Sequence, residues 1–86
     1  MYNVVFKPSI EKDLKSLPKH QIQSILSKVA TLANEPFPYN SVKLTGTDNL
    51  YRIRVGDYRV IYSVDRNYHQ VVVHYVRHRR EVYRGL

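Results

Sequence analysis

Arginines recur at positions 52, 54 and 59 around a Gly56-Asp57 dipeptide. Tyr51-Arg52-Ile53-Arg54-Val55 alternates apolar and basic residues, and Tyr58-Arg59-Val60-Ile61-Tyr62-Ser63-Val64 resumes an apolar run, which predicts a β-hairpin closed by a two-residue turn. Such a turn pairs Val55 with Tyr58 and Arg54 with Arg59, so the guanidinium groups of Arg52, Arg54 and Arg59 leave on one face. Like charges set opposite each other weaken a sheet, and no acid alternates with these arginines, so the triad predicts an anion supplied from outside. The plainer alternative is three arginines splayed into water. The apolar alternates, Tyr51, Ile53, Val55, Tyr58, Val60, Tyr62 and Val64, face the other side and form a core.

A second basic stretch, Arg77-His78-Arg79-Arg80-Glu81-Val82-Tyr83-Arg84, follows the strongest strand signal, Gln70 to Val76. That strand is expected in mid-sheet, buried on both faces, and it delivers the tail close to the exposed face. Cysteine is absent, which excludes disulfides, thiolate metal sites and cysteine nucleophiles. Acids are sparse after residue 50, His69, His74 and His78 lack a carboxylate cluster at ligand spacing, and glycine is too scarce for a phosphate-cradling loop. Ser63 shows no base or orienting acid around it in sequence. What remains is arginine, histidine and tyrosine, a set suited to metal- and cofactor-free RNA transesterification. A base takes the 2′-hydroxyl proton, that oxygen attacks the adjacent phosphorus, and cations hold the charge gathering on the phosphoryl oxygens. Arg52, Arg54, Arg59 and Arg79 are the electrostatic candidates. Tyr83 is the candidate base, since nearby cations lower a phenol's pKa by ~1–3 units, and His78 the candidate acid. Against these stand a tyrosine that closes the core edge and a surface imidazole.

The elements that must position these groups fit one domain over residues 1–86. Of the 86 residues 43% are hydrophobic and 24% charged, a composition that folds rather than remaining disordered. Charge is uneven: residues 1–50 carry all six lysines and a net +2, residues 51–86 all eight arginines and a net +5. The overall +7 attracts polyanions. Tyr2 to Phe6 reads as a first strand, interior by its apolar density. Ser9 is placed to cap a short helix with Ile10, Leu14 and Leu17 on one side. A longer helical stripe runs from Lys19 to Asn34, and the two helices form a hairpin over the sheet. Residues 36–49 read as a long connection, with a minor strand around Val42 to Leu44 left open. An N-terminus without a basic n-region, and no apolar run of membrane-spanning length, predict a soluble, cytoplasmic chain with no membrane partner.

The chain resembles the RelE/ParE superfamily of toxins from toxin–antitoxin pairs. The resemblance rests on Phe6-Lys7-Pro8-Ser9, the helical hairpin, Val42-Lys43-Leu44, the stretch Leu50 to Tyr62, and the closing His78-Arg79-Arg80-Glu81-Val82-Tyr83-Arg84. It implies an α+β fold: an N-terminal strand, a two-helix hairpin, then a three-stranded antiparallel meander completing a four-stranded sheet. For RelE-like members it implies metal-independent, ribosome-dependent cleavage of messenger RNA in the A site, and silencing by a small acidic RelB-like antitoxin. Arg52, Arg54, Arg59, Arg79 and Tyr83 match the RelE-type site. Lys43, Arg77 and Arg80 are further candidates for holding RNA, with Arg77 and Arg79 competing for one motif position. RelE itself has lysines where Arg52 and Arg54 stand, which leaves His78 as the better acid. ParE-like relatives share the scaffold and act on DNA gyrase, so gyrase inhibition is the alternative.

Overall fold

The computed structural model describes residues 1–80. Its elements run β1 (Asn3–Phe6), α1 (Ser9–Lys15), α2 (Lys19–Thr31), β2 (Val42–Lys43), β3 (Leu50–Val55), β4 (Tyr58–Asp65) and β5 (Gln70–His78). The strands form one sheet in the order β1-β5-β4-β3-β2, with β1 parallel to β5 and every other pair antiparallel. Both helices lie on one face. Ile10, Ile25, Val29 and Leu32 pack there against Ile53, Val60, Tyr62, Val64, Val71 and Val73. The α+β class and the meander are as expected, but among the described residues the sheet has five strands rather than four, because Val42 and Lys43 pair with Arg52 and Tyr51.

β1 corrects a second expectation. It sits at the sheet edge, not inside, and Phe6 is 41% exposed. Its apolar residues serve one ladder, with β5, and one core face, through Val4. The strand ends opposite Val73, so among the described residues the rest of β5 has no strand on that side. β5 is interior, as predicted, yet only one of its faces is fully buried: Val71, Val73 and Val76 are covered, whereas His74 and Tyr75 are half-buried.

Helix ends also differ from the sequence reading. Ser9 is the first residue of α1, not its cap; Pro8 stands at the cap with φ −54° and makes no side-chain bond there. Proline suits that boundary because its ring presets a helical φ and it has no N–H to leave unpaired. α2 stops at Thr31, three residues before Asn34, and its last carbonyls are taken up in tightened turns, with Leu32, Ala33 and Asn34 donating to Val29, Ala30 and Thr31. Among the described residues, no helix is long and apolar enough to cross a membrane.

Two backbone features set the functional face. Gly56, first central residue of the β3–β4 turn, has φ +61°, the left-handed geometry that a two-residue hairpin of this hand demands. The second feature is a bulge. Nine residues of β5 run against eight of β4, and the register passes from Tyr62 opposite Val73 to Ile61 opposite Tyr75, so His74 is the extra residue. Strict alternation from Val73 would send Tyr75 and Arg77 toward the helices. The inserted residue shifts the parity, returning Val76 to the core and turning Tyr75 and Arg77 to the open face.

Candidate nucleic-acid interface

On the face without helices, register arranges the side chains in rows across three strands. Arg54 stands opposite Arg59, and Arg59 opposite Arg77. The next row is Arg52, Ile61 and Tyr75, and the one beyond it Leu50, Ser63 and Val72. Neighbouring strands lie ~4.8 Å apart, so the first row sets three guanidinium-bearing side chains side by side. Ile61 is fully buried between Arg52 and Tyr75, giving the basic face an apolar floor.

Local bonds fix several of these arginines. Arg54 Nε donates to the Gly56 carbonyl at 3.0 Å, and Arg59 Nη1 to the Tyr58 carbonyl at 3.3 Å. The backbone N–H of Arg79 donates to the Asp57 carbonyl at 2.8 Å. The Gly56-Asp57 turn therefore anchors both Arg54 and the start of the basic tail, bringing Arg79 beside the first row. Arg77 is tied elsewhere: Nη1 donates to Asp13 Oδ2 of α1 at 2.6 Å, and its guanidinium carbon lies 5.0 Å from the Tyr75 ring centre. Asp13 neutralises it in part, so Arg77 is the member of the row least able to serve a ligand at full charge.

Three sequence candidates are not brought to this face. Lys43 pairs with Tyr51 and so shares the helix-bearing side at the far edge. His78 pairs with Tyr58, packs edge-on to its ring at 5.5 Å, and lines a groove of about 750 Å³ beside α1 with Lys12, Asp13 and Leu17. The β5 bulge exchanges the backbone faces of Arg77 and His78, and the Arg77 guanidinium bends round the strand edge to the same groove, where it meets Asp13. Arg80 is exposed in the turn after β5, where its N–H donates to His78 Nδ1 at 3.3 Å. Tyr83 lies outside the described residues, as does Arg84.

Sequence reasoning missed four participants. Asp13 gave no local signal, being 64 residues from its partner. Tyr75 belongs to a strand whose composition predicts burial on both faces, which hides its place on the open one. Ser63 lacked any visible base, yet its Oγ is 2.8 Å from His74 Nε2. Burial first, and then the Lys7 ammonium, hold His74 below its ordinary pKa of 6.5, so the imidazole is neutral at pH 7. A cation beside the ring is the opposite of the carboxylate that orients a hydrolase histidine, which argues against a serine nucleophile here. The signal for His74 would have been a parity break between Val73 and Val76, and apolar alternation cannot show it when both flanking residues are valine.

Comparison with known proteins gives a consistent result. The family model described as the ParE toxin of type II toxin–antitoxin systems matches residues 4–83. Toxin RelE3 of Methanocaldococcus jannaschii is 32% identical over 88 residues, covering 93% of each chain. Toxin RelE of Mycobacterium tuberculosis is 29% identical over 84 residues, covering 96% of this chain and 87% of its own. The crystal structure of an archaeal RelE–RelB complex from Pyrococcus horikoshii matches with a TM-score of 0.80 and 37% identity, covering 91% of this chain and 94% of that one. The isolated Escherichia coli RelE toxin, at 22% identity and a TM-score of 0.78, shares the fold.

Proposed function

This chain belongs to the RelE/ParE superfamily as a RelE-like toxin of a type II toxin–antitoxin system, and from that premise we propose that it cleaves messenger RNA in the ribosomal A site without a metal. The cross-strand pair Arg54 and Arg59, with Arg52 two residues along the same face and Arg79 beside the turn, is the observation that carries this reading. In the proposed step Tyr83, as phenolate, takes the 2′-hydroxyl proton. The 2′-oxygen bonds to the adjacent phosphorus, the bond to the 5′-oxygen breaks, and that oxygen takes a proton from water. The products are a 2′,3′-cyclic phosphate and a free 5′-hydroxyl. Guanidinium groups around the phosphate stabilise the charge that builds on its oxygens, which in a water-poor site is the largest single contribution to such a reaction. His78, on the other face, takes no part.

Dependence on the ribosome follows from the weakness of the base. A tyrosine with a pKa near ~10 is mostly protonated at pH 7, and holding the RNA in line supplies what the base lacks, ~7–11 kcal/mol in well-oriented systems. The P. horikoshii relative was solved as a RelE–RelB complex, and a further M. tuberculosis neighbour, 26% identical, as the toxin–antitoxin complex RelBE2. The corresponding partner here is a RelB-like acidic antitoxin, complementary to the +7 charge. The test is translation in a reconstituted system with primer extension on the message. Cuts at A-site codons, lost in Arg59→Ala and Tyr83→Phe, are expected; uncut transcripts alongside blocked supercoiling by purified gyrase would replace this reading with the ParE-like one.

A further inference from the structure

The bulge in β5 has a cost in backbone pairing, and what it presents is the His74 imidazole on the open face, bonded to Ser63, while Lys7 continues the register that pairs Phe6 with Val73 and donates its N–H to the Val73 carbonyl at 3.0 Å. Bulges near functional sites commonly re-aim one side chain in this way. We propose that Lys7, Ser63 and His74 form a second anion subsite, which holds a backbone phosphate of the RNA flanking the one cleaved at the arginine rows. This deepens the RNA reading above and rests on it.

Three observations support it. Ser63 lies on β4 four residues from Arg59, on the same face, so the subsite is ~13 Å along the sheet from the first arginine row, with Ile61 and Tyr75 between. The intervening Tyr75 ring is flanked by Arg77 at 5.0 Å and His74 at 6.2 Å, a surface on which a base can stack while its phosphates reach both ends. The charged surroundings of His74 also favour an anion. Lys7 comes from the end of β1, Ser63 from β4, Tyr75 from β5, and Arg52 lies across β4 from Tyr75. The carboxylate next along β4, Asp65, is turned into the following loop, where Oδ1 accepts the N–H groups of Asn67 and Tyr68 at 2.9 and 3.1 Å.

Desolvation first, and then Lys7, oppose a positive charge on His74. A phosphate placed between them reverses the second effect, so RNA binding draws a proton onto His74. Affinity therefore rises as pH falls from 8 to 6, and the salt dependence contains a share from this contact.

The experiment is fluorescence anisotropy with a 2′-O-methyl single-stranded RNA, which cannot be cleaved, titrated with purified toxin without ribosomes at several salt concentrations and at pH 6, 7 and 8. Lys7→Ala is expected to weaken binding about tenfold and to flatten the log–log salt slope by about 0.7, the value for one phosphate contact on a single strand. His74→Gln keeps a hydrogen-bonding group for Ser63 but should abolish the pH component. Circular dichroism checks that both variants are folded, and deletion of His74 provides a second route should the glutamine variant fail. Wild-type salt slope and pH dependence in both variants would overturn the subsite while leaving the arginine rows untouched. Failure of the unaltered toxin to bind this RNA at low salt would overturn the subsite together with the RNA reading.

Discussion

Asp13 and Arg77 join α1 to the free edge of β5: Arg77 Nη1 donates to Asp13 Oδ2 at 2.6 Å, and the same oxygen accepts the Val76 N–H at 3.1 Å. β1 ends opposite Val73, so beyond that point the carboxylate takes the place of a missing strand. A half-buried N–H and a half-buried guanidinium both depend on it. The arrangement also sets the direction in which β5 delivers the basic tail.

Replacing Asp13 with alanine takes the acceptor from the Val76 N–H and leaves the Arg77 guanidinium only its bond to the Val76 carbonyl, and is expected to lower stability by roughly 1–3 kcal/mol in urea unfolding. Asp13→Asn retains a carbonyl acceptor for Val76 and removes only the charge, so it should cost less. A double-mutant cycle with Arg77→Met would isolate the ion-pair part; a coupling energy near zero would show that the backbone contact alone matters.

The arginine rows set function against stability. Arg54 and Arg59 are direct cross-strand neighbours of like charge, an arrangement that costs a few tenths to 1 kcal/mol, roughly, in a sheet. Arg59→Ala should reduce ribosome-dependent cleavage by about 10²–10³-fold, the usual cost of losing one donor to a developing oxyanion. Arg54→Ala should act in the same direction. Their melting temperatures should stay within about 4 °C of the parent, since relief of repulsion offsets the lost bonds to backbone carbonyls. Loss of activity accompanied by a large fall in melting temperature would instead make these residues structural.

Tyr62 provides a pH-dependent prediction in the core. Its hydroxyl donates to the Pro36 carbonyl at 2.8 Å and pins the long connection before β2 over the end of the core. Burial pushes its pKa from 10.0 up to about 12. The unfolded chain ionises this phenol first, so the folded state keeps its advantage below pH 10 and loses it as pH rises toward 12. Tyr62→Phe should cost about 1–3 kcal/mol at pH 7 by leaving the carbonyl unpaired. It should also unfold with a weaker pH dependence between pH 10 and 12 than the parent chain, read by urea titration at each pH.

Much of this was legible in the chain itself, for identifiable reasons. The hairpin register followed from the Gly56-Asp57 turn, because a two-residue loop leaves no freedom in pairing, and the arginine face came with it. The core side of β3 and β4 was equally readable from alternation. The position of β1 was not, since an apolar run as short as Val4-Val5-Phe6 fits an edge strand over a core as well as an interior one. Nor was the side of the sheet on which Tyr75, Arg77 and His78 fall. Val71, Val72 and Val73 look alike on either face, so nothing local marked the point where parity changes.

That parity change yields the last prediction. Deleting His74 removes the one unpaired residue of β5 and makes the pairs Tyr62 with Val73 and Ile61 with Tyr75 consecutive rungs. Regular alternation then runs from Val71 to His78 with every other side chain on the face it already occupies, so the shortened chain should fold with the same core. A less twisted strand is the expected local change. Burial and Lys7 hold the His74 pKa below 6.5, so in the parent the unfolded state takes up the proton first. Stability from this group is present above pH 6.5 and is lost as pH falls below it. The deletion variant should lack that loss, and parent and variant should diverge in thermal unfolding between pH 7 and 5. A variant that loses its cooperative transition altogether would mean that the bulge is needed for the sheet to close over its helices, and not merely to aim one imidazole.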